Sequence, residues 1–183
     1  MFSHIGKVIN DPRNNYKARS KLDQLTIASN IGGVTIPDTL VSNNPDEIRK
    51  FYQEHQKICF KLQKGAVFEL NEENQTVMTN IVEEKDIENN EILMQGPHLF
   101  QKYCEKDYEV RVTTIDKKSV GVAIHSQDSL ISKIDFRRYD FNVPYRHVKL
   151  PKNVENFCVN MLEHYGLKYG CFDFIFRDGN YTF

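Results

Sequence analysis

The chain has no run of 18 apolar residues, which excludes a helical membrane span. Residues 1–9 lack the charged-then-apolar pattern of a secretory signal. Neither charge is in excess. Lys plus Arg is 24 and Asp plus Glu is 25, a net charge of −1 that argues against a broad nucleic-acid surface. The four cysteines (Cys59, Cys104, Cys158, Cys171) contain no CxxC and read as free thiols of a reducing cytoplasm. The six histidines contain no HExxH or other ligand spacing, so no zinc site is expected. GxxxxGK[ST] and GxGxxG are both missing, which removes the two commonest glycine-rich phosphate motifs. There is no internal repeat, low-complexity tract or long linker.

What is present is globular: 183 residues with 40% hydrophobic content suffice for one sizeable core or two small lobes. The chain is organised around 97–114, PHLFQKYCEKDYEVRVTT, which reads as two strands joined at Glu105-Lys106-Asp107. Tyr108, Val110 and Val112 alternate with Glu109, Arg111 and Thr113, the period of a half-buried strand. With a turn at 116–118, residues 98–125 are expected to form one antiparallel meander.

Before it, helical spacing covers 14–31, stopped by Gly32-Gly33. A strand is expected at 39–41, and Asn44 with Pro45 opens a helix to residue 55. Strands are expected at 57–61, 67–70 and 76–82, with a turn at 71–75 and a short polar helix in 83–95. Residues 126–149 resist assignment, and a loop that long inside a compact domain is usually functional or disordered. A last helix carries Val154, Phe157, Cys158, Met161, Leu162 and Tyr165 on one side and stops at Gly166. A strand at 169–176, a turn at Asp178-Gly179 and a short partner strand close the sequence. These elements divide into an opening segment, 1–13, a first lobe, 14–97, and a second lobe, 98–183. The unequal lengths of the last two strands suggest a truncated chain.

Four places are out of character for plain packing. Glu109 and Arg111 share a strand face, either as solvated surface or as a cleft with Glu109 on hydroxyls and Arg111 on an anion. Lys61 ends an apolar strand before a loop with one glycine, where it is either solvated or reaches a phosphate. Asp173 interrupts CFDFIF, either as an exposed acid on an amphipathic strand or as a hard oxygen ligand for Mg²⁺. Arg137 and Arg138 beside Asp135 form either a local ion-pair cluster or an anion site.

Taken in order, SKLDQL (20–25), TIPDTL (35–40), ICFK (58–61), LFQKYCEKDYEVRV (99–112), IHSQ (124–127) and YGCFDFIFRDGNYTF (169–183) resemble the ATP-grasp ligases. Within them the chain is most similar to the peptide maturases that make graspetides, microviridin-like ribosomal (RiPP) products. Each motif is loose, but their order and spacing are specific and cover nearly the whole chain. The resemblance implies an α+β ATP-grasp fold: two α/β lobes with mainly antiparallel sheets and a nucleotide cleft between them. It assigns ATP phosphates to Lys21 and Lys61, and the adenine-edging hinge to Gln101, Lys102, Tyr103 and Cys104. It assigns the ribose to Glu109, the transferred phosphate or acceptor carboxylate to Arg111, and Mg²⁺ to Asp173.

The implied reaction is ATP-dependent ligation on a leader-bearing precursor peptide: Asp or Glu side chains, activated as acyl phosphates, close ester or amide macrocycles. The alternatives are an ATP-grasp ligase of amino acids or small acids, or a non-catalytic module keeping the fold. A cytoplasmic protein is implied, with no nucleic acid or membrane partner and a homodimer left open. Two departures stand out. The loop after Lys61 has one glycine, and the family's Glu-x-Asn, which supplies further Mg²⁺ ligands, would fall just past Phe183. The expectation from that ending is an incomplete last sheet and an inactive fragment, and the resemblance also implies a lobe preceding the region that begins here.

Overall fold

The computed structural model describes residues 8–63, 67–70, 73–76, 78–138, 140 and 142–183, with side chains at 67–70 and 73–76 left aside. The elements run α1 (Pro12–Lys17), α2 (Lys21–Ile31), β1 (Thr39–Ser42), α3 (Pro45–His55), β2 (Ile58–Lys61), β3 (Val67–Leu70), β4 (Glu73–Thr76) and β5 (Asn80–Ile81). They continue with α4 (Asn90–Leu93), β6 (His98–Lys102), β7 (Tyr108–Ile115), β8 (Lys118–Ile124), β9 (Tyr145–Val148), α5 (Lys152–Tyr165), β10 (Tyr169–Arg177) and β11 (Asn180–Thr182).

Local chemistry explains most boundaries. Asn44 caps α3 by accepting from the Asp46 amide at 3.0 Å, with Pro45 in its first turn. Gly166, in the left-handed region, ends α5. Asp178 and Gly179 both take positive φ, as a tight turn between antiparallel strands requires. The single helix expected over 14–31 is two. Ser20 is extended and its hydroxyl accepts from the Asp23 amide, so it starts a new helix instead of continuing α1.

The chain forms two compact units, each built from separated segments. The first takes Met1–Ile36, Lys106–His125 and Val143–Phe183. Its five strands, all antiparallel, lie in the order β11-β10-β7-β8-β9. One face presents Val110, Val112, Phe172 and Phe174 to Val154, Phe157, Cys158, Met161 and Leu162 of α5, and α2 packs beside α5 through Ala28. Phe157 meets Phe174 edge-on at 5.8 Å between ring centres. Burying each such side chain stabilises the fold by about 1.5–3 kcal/mol.

The second unit takes Pro37–Glu105 and Ser126–Asn142. It holds the antiparallel sheet β1-β6-β2-β5 and the hairpin β3–β4. Ile48, Ile58, Val82, Ile87, Leu93 and Phe100 form its core. The contiguous lobes read from the sequence, 14–97 and 98–183, differ from this division because the chain passes from one unit to the other repeatedly.

The expected 98–125 meander is corrected at its first strand. β6 pairs with β1 and β2, whereas β7 pairs with β10 and β8. Between them the Tyr103 amide donates to Lys57 O and the Asp107 amide to Phe176 O, both at 2.9 Å, so each end of the bend is held by a different sheet. The strand expected at 76–82 is displaced: β4 occupies 73–76, and among the described residues the next strand is Asn80–Ile81. The polar helix expected in 83–95 is a 3-10 turn at Glu84–Ile87 followed by the single turn of α4.

The described residues of 126–149 carry regular elements. Two 3-10 turns (Ser126–Asp128 and Phe136–Arg138) precede β9. Side chains hold them: the Ser132 hydroxyl donates to Ser126 O at 3.2 Å, and Gln127 Nε2 to Lys133 O at 2.9 Å.

Candidate functional site

In the first unit, alternation along β7 sends Val110 and Val112 into the core and turns Glu109, Arg111 and Thr113 to the other face. β10 does the same with Phe172 and Phe174 inward and Asp173 outward. The register places Asp173 directly opposite Arg111, with Nε 3.5 Å from Oδ1 and both side chains a little under half exposed. A guanidinium and a carboxylate are thus presented together on a sheet face backed by a packed core, which fixes their backbones and leaves their heads accessible.

Two residues before Arg111 on β7, Glu109 is 5% exposed and lies opposite Ile175 and Ile124. A carboxylate between two isoleucines is costly to desolvate. Lys106 offsets that cost with a direct ion pair in which both side chains are buried. The sequence pattern puts Lys106 in the bend between two strands and misses the pair; its signal is the opposite charge three residues before Glu109. The bend is fixed by Asp107, whose amide donates to Phe176 O and whose carboxylate accepts from the Asp178 amide.

Lys21, the fourth candidate of this unit, opens α2. Its helix belongs to the layer on the core side of the sheet, whereas Glu109, Arg111 and Asp173 share the opposite face. A lysine in the first turn opposes the helix dipole, and Asp23 in the same turn counters it.

In the second unit, Lys61 is the half-buried last residue of β2, opposite Leu99. The residues that follow, 64–66, including the single glycine, lie outside the described residues. Gln101 is 3% exposed and its side-chain amide donates to Thr39 Oγ1 at 3.0 Å, so this side chain braces β6 against β1. Lys102 is exposed, and its amide donates to Asp38 O at 2.9 Å. Tyr103 and Cys104, both half-buried, lie beyond the paired part of β6. There Lys57 Nζ sits 4.1 Å from the Tyr103 ring centre.

The Arg137–Asp135 group is the ion-pair cluster of the two readings left open. Asp135 is 5% exposed; it accepts from Arg137 Nε at 2.8 Å and from the Thr79 amide at 3.1 Å. Burial pushes its carboxyl up, but the Arg137 guanidinium and the Thr79 and Arg137 amides outweigh that and hold it well below the usual carboxylate range. Arg138 donates to Thr79 O and Asn80 Oδ1, so the segment is stitched to β5.

The candidates therefore fall into two sets. Lys61 and 101–104 lie in one unit. Lys21, Glu109, Arg111 and Asp173 lie in the other. Among the described residues there is no cluster of three His, Cys, Asp or Glu able to hold a metal by itself, and no helix long and apolar enough to cross a membrane. All four cysteines are unbridged.

No family model matches the sequence, and no curated protein matches it. Solved structures do. A RiPP-associated ATP-grasp ligase of Chryseobacterium gregarium, in complex with ADP and a leader and core peptide, is 32% identical with a TM-score of 0.87, over 96% of this chain and 53% of that one. The macrocyclase MdnC of Microcystis aeruginosa, bound with precursor peptide MdnA, is 30% identical with a TM-score of 0.80, over 96% and 54%. The ATP-grasp ligase PsnB, complexed with a phosphomimetic variant of minimal precursor, Mg and ADP, is 25% identical with a TM-score of 0.70, over 96% and 51%. The chain spans about half the length of these relatives. The antiparallel sheets and this likeness in sequence as well as fold agree: the chain carries the ATP-grasp fold and is similar, over nearly its whole length, to RiPP-associated ATP-grasp ligases of the graspetide type.

Proposed function

We propose that this chain supplies nucleotide-binding elements of an ATP-dependent ligase acting on a leader-bearing precursor peptide. The observation that carries the reading is the Arg111–Asp173 pair beside Glu109 on one supported sheet face, in a chain similar to ligases solved with ADP and peptide.

The donor chemistry suits Mg²⁺ and ATP. Mg²⁺ is commonly held by one or two carboxylates together with substrate phosphates, not by an all-protein cage, and Asp173 would be one such carboxylate. Bound ATP supplies the transferable phosphoryl group. Lys61 would neutralise phosphate charge, Glu109 would accept from the ribose hydroxyls, and the backbone of 101–104 would edge the adenine; Lys21, whose helix lies on the core side of the sheet away from Glu109 and Asp173, is left out of this reading. Arg111 would hold the acceptor carboxylate of Asp or Glu against the phosphoryl group through its planar fork. The carboxylate oxygen bonds to phosphorus as ADP leaves. A hydroxyl or amine of the same peptide then bonds to the acyl carbon, loses its proton, and phosphate leaves. The protein's task is positioning and charge neutralisation.

Calorimetric titration of the 183-residue chain with ATP, with and without Mg²⁺, tests the reading. Saturable binding that Lys61→Ala abolishes is the expected result. An unchanged affinity in that variant overturns the assignment of Lys61, and no binding by the unsubstituted chain overturns the nucleotide role of this chain.

A further inference from the structure

Lys57 was not among the candidate residues, yet it contacts the hinge stretch in three ways. Its carbonyl accepts from the Tyr103 amide at 2.9 Å. Its ammonium lies 2.6 Å from Glu105 Oε1 and, at the same time, 4.1 Å from the Tyr103 ring centre. The next support upstream is the Lys102 amide, which donates to Asp38 O at 2.9 Å. Beyond Lys102 the stretch leaves the ladder, since β6 ends there. Residues 103–105 thus lie outside the strand ladder, and the Lys57 side chain touches both Tyr103 and Glu105.

We propose that Lys57 is a positioning residue for nucleotide-base recognition: it holds 103–105 in one conformation, so that their backbone donors and acceptors meet a purine edge in fixed register. The proposal rests on the nucleotide-binding reading above and deepens it. A loop that must be ordered on binding costs affinity, and one already ordered does not. Phosphate charge is not what Lys57 serves, because its ammonium is committed to Glu105 and the Tyr103 ring. Its loss should therefore be felt by the base and not by the phosphates. Exposure sets the scale: Lys57 and Glu105 are each about half exposed, so both the ion pair and the cation–ring contact are modest.

The experiment compares ATP and inorganic tripolyphosphate, each with Mg²⁺, as calorimetric titrants of the 183-residue chain and of Lys57→Met, Lys57→Arg and Glu105→Gln, with circular dichroism confirming that each variant is folded. Lys57→Met should weaken ATP about three- to tenfold and leave tripolyphosphate within about twofold. Glu105→Gln should show a smaller loss of the same kind, and Lys57→Arg should restore most of the affinity, since a guanidinium can both pair with a carboxylate and stack on a ring. Equal ATP affinity in wild type and Lys57→Met overturns the proposal. So does an equal loss of ATP and tripolyphosphate, which marks a general charge effect. A wild-type chain that binds tripolyphosphate as tightly as ATP overturns base recognition while leaving the phosphate site standing. A chain that binds neither overturns the underlying reading and this inference with it.

Discussion

Arg111 and Asp173 face each other across neighbouring antiparallel strands, Nε 3.5 Å from Oδ1, each on the solvent side of a strand whose alternate residues build the core. Each group is a little under half exposed, so their mutual attraction adds little to stability. The pair is better understood as a presented acid and base than as a structural tie.

Asp173→Asn is accordingly expected to leave thermal stability nearly unchanged. It should remove at least about tenfold of the gain in ATP affinity that Mg²⁺ confers, and have little effect on Mg²⁺-free binding. Titrations at matched ionic strength with and without Mg²⁺ check this. A variant with the full Mg²⁺ gain would exclude Asp173 as a ligand.

The buried Lys106–Glu109 pair should behave in the opposite way. Lys106→Met leaves a carboxylate between Ile175 and Ile124 without its ammonium, and about 3–5 kcal/mol of stability should be lost. Replacing both residues by apolar ones of similar volume should recover most of that loss. Urea unfolding of the single and double variants measures it, and additive losses would show that the two side chains do not depend on each other.

Acid should act on Asp135. Its carboxyl titrates below the usual range when folded, so its contribution is fully present above the ordinary carboxylate value. The contribution fades as pH falls below about 4. Asp135→Asn should cost about 2–4 kcal/mol at neutral pH and flatten the decline of stability as pH falls from roughly 4 to roughly 2. Denaturant midpoints across that range decide it; an unchanged slope would mean that other carboxylates carry the acid response.

Thiol chemistry offers a direct test of packing. Cys171 is exposed, Cys104 half-buried, and Cys59 and Cys158 are buried. Burial pushes the Cys158 thiol up to about 12, against a smaller downward pull from the Thr114 hydroxyl. Only about one thiol in ten thousand is then ionised at pH 8. Iodoacetamide on the native chain should label Cys171 first, Cys104 more slowly, and Cys59 and Cys158 only after denaturation, as peptide mass mapping would show. Native labelling of Cys158 would contradict the packing of α5 on the sheet.

Whatever depends on neighbours in sequence was legible there. Asn44-Pro45 start α3, Gly166 stops α5, and Asp178-Gly179 turn β10 into β11, because caps and turns act within a few residues. The apolar stripe of α5 and the alternation along β7 were legible for the same reason, and they already set Arg111 on the face opposite Val110 and Val112, whereas the direction of Asp173 stayed open. Tertiary structure decided the rest. It assigned β6 and β7 to different sheets, brought Asp173 opposite Arg111 and Asp135 against Thr79, and buried Lys106 with Glu109. A strand's own residues fix its two faces. Which strand it pairs with, and whether a charged side chain on its outer face meets water or a partner, is set by contacts between segments distant in sequence, and no local pattern records them.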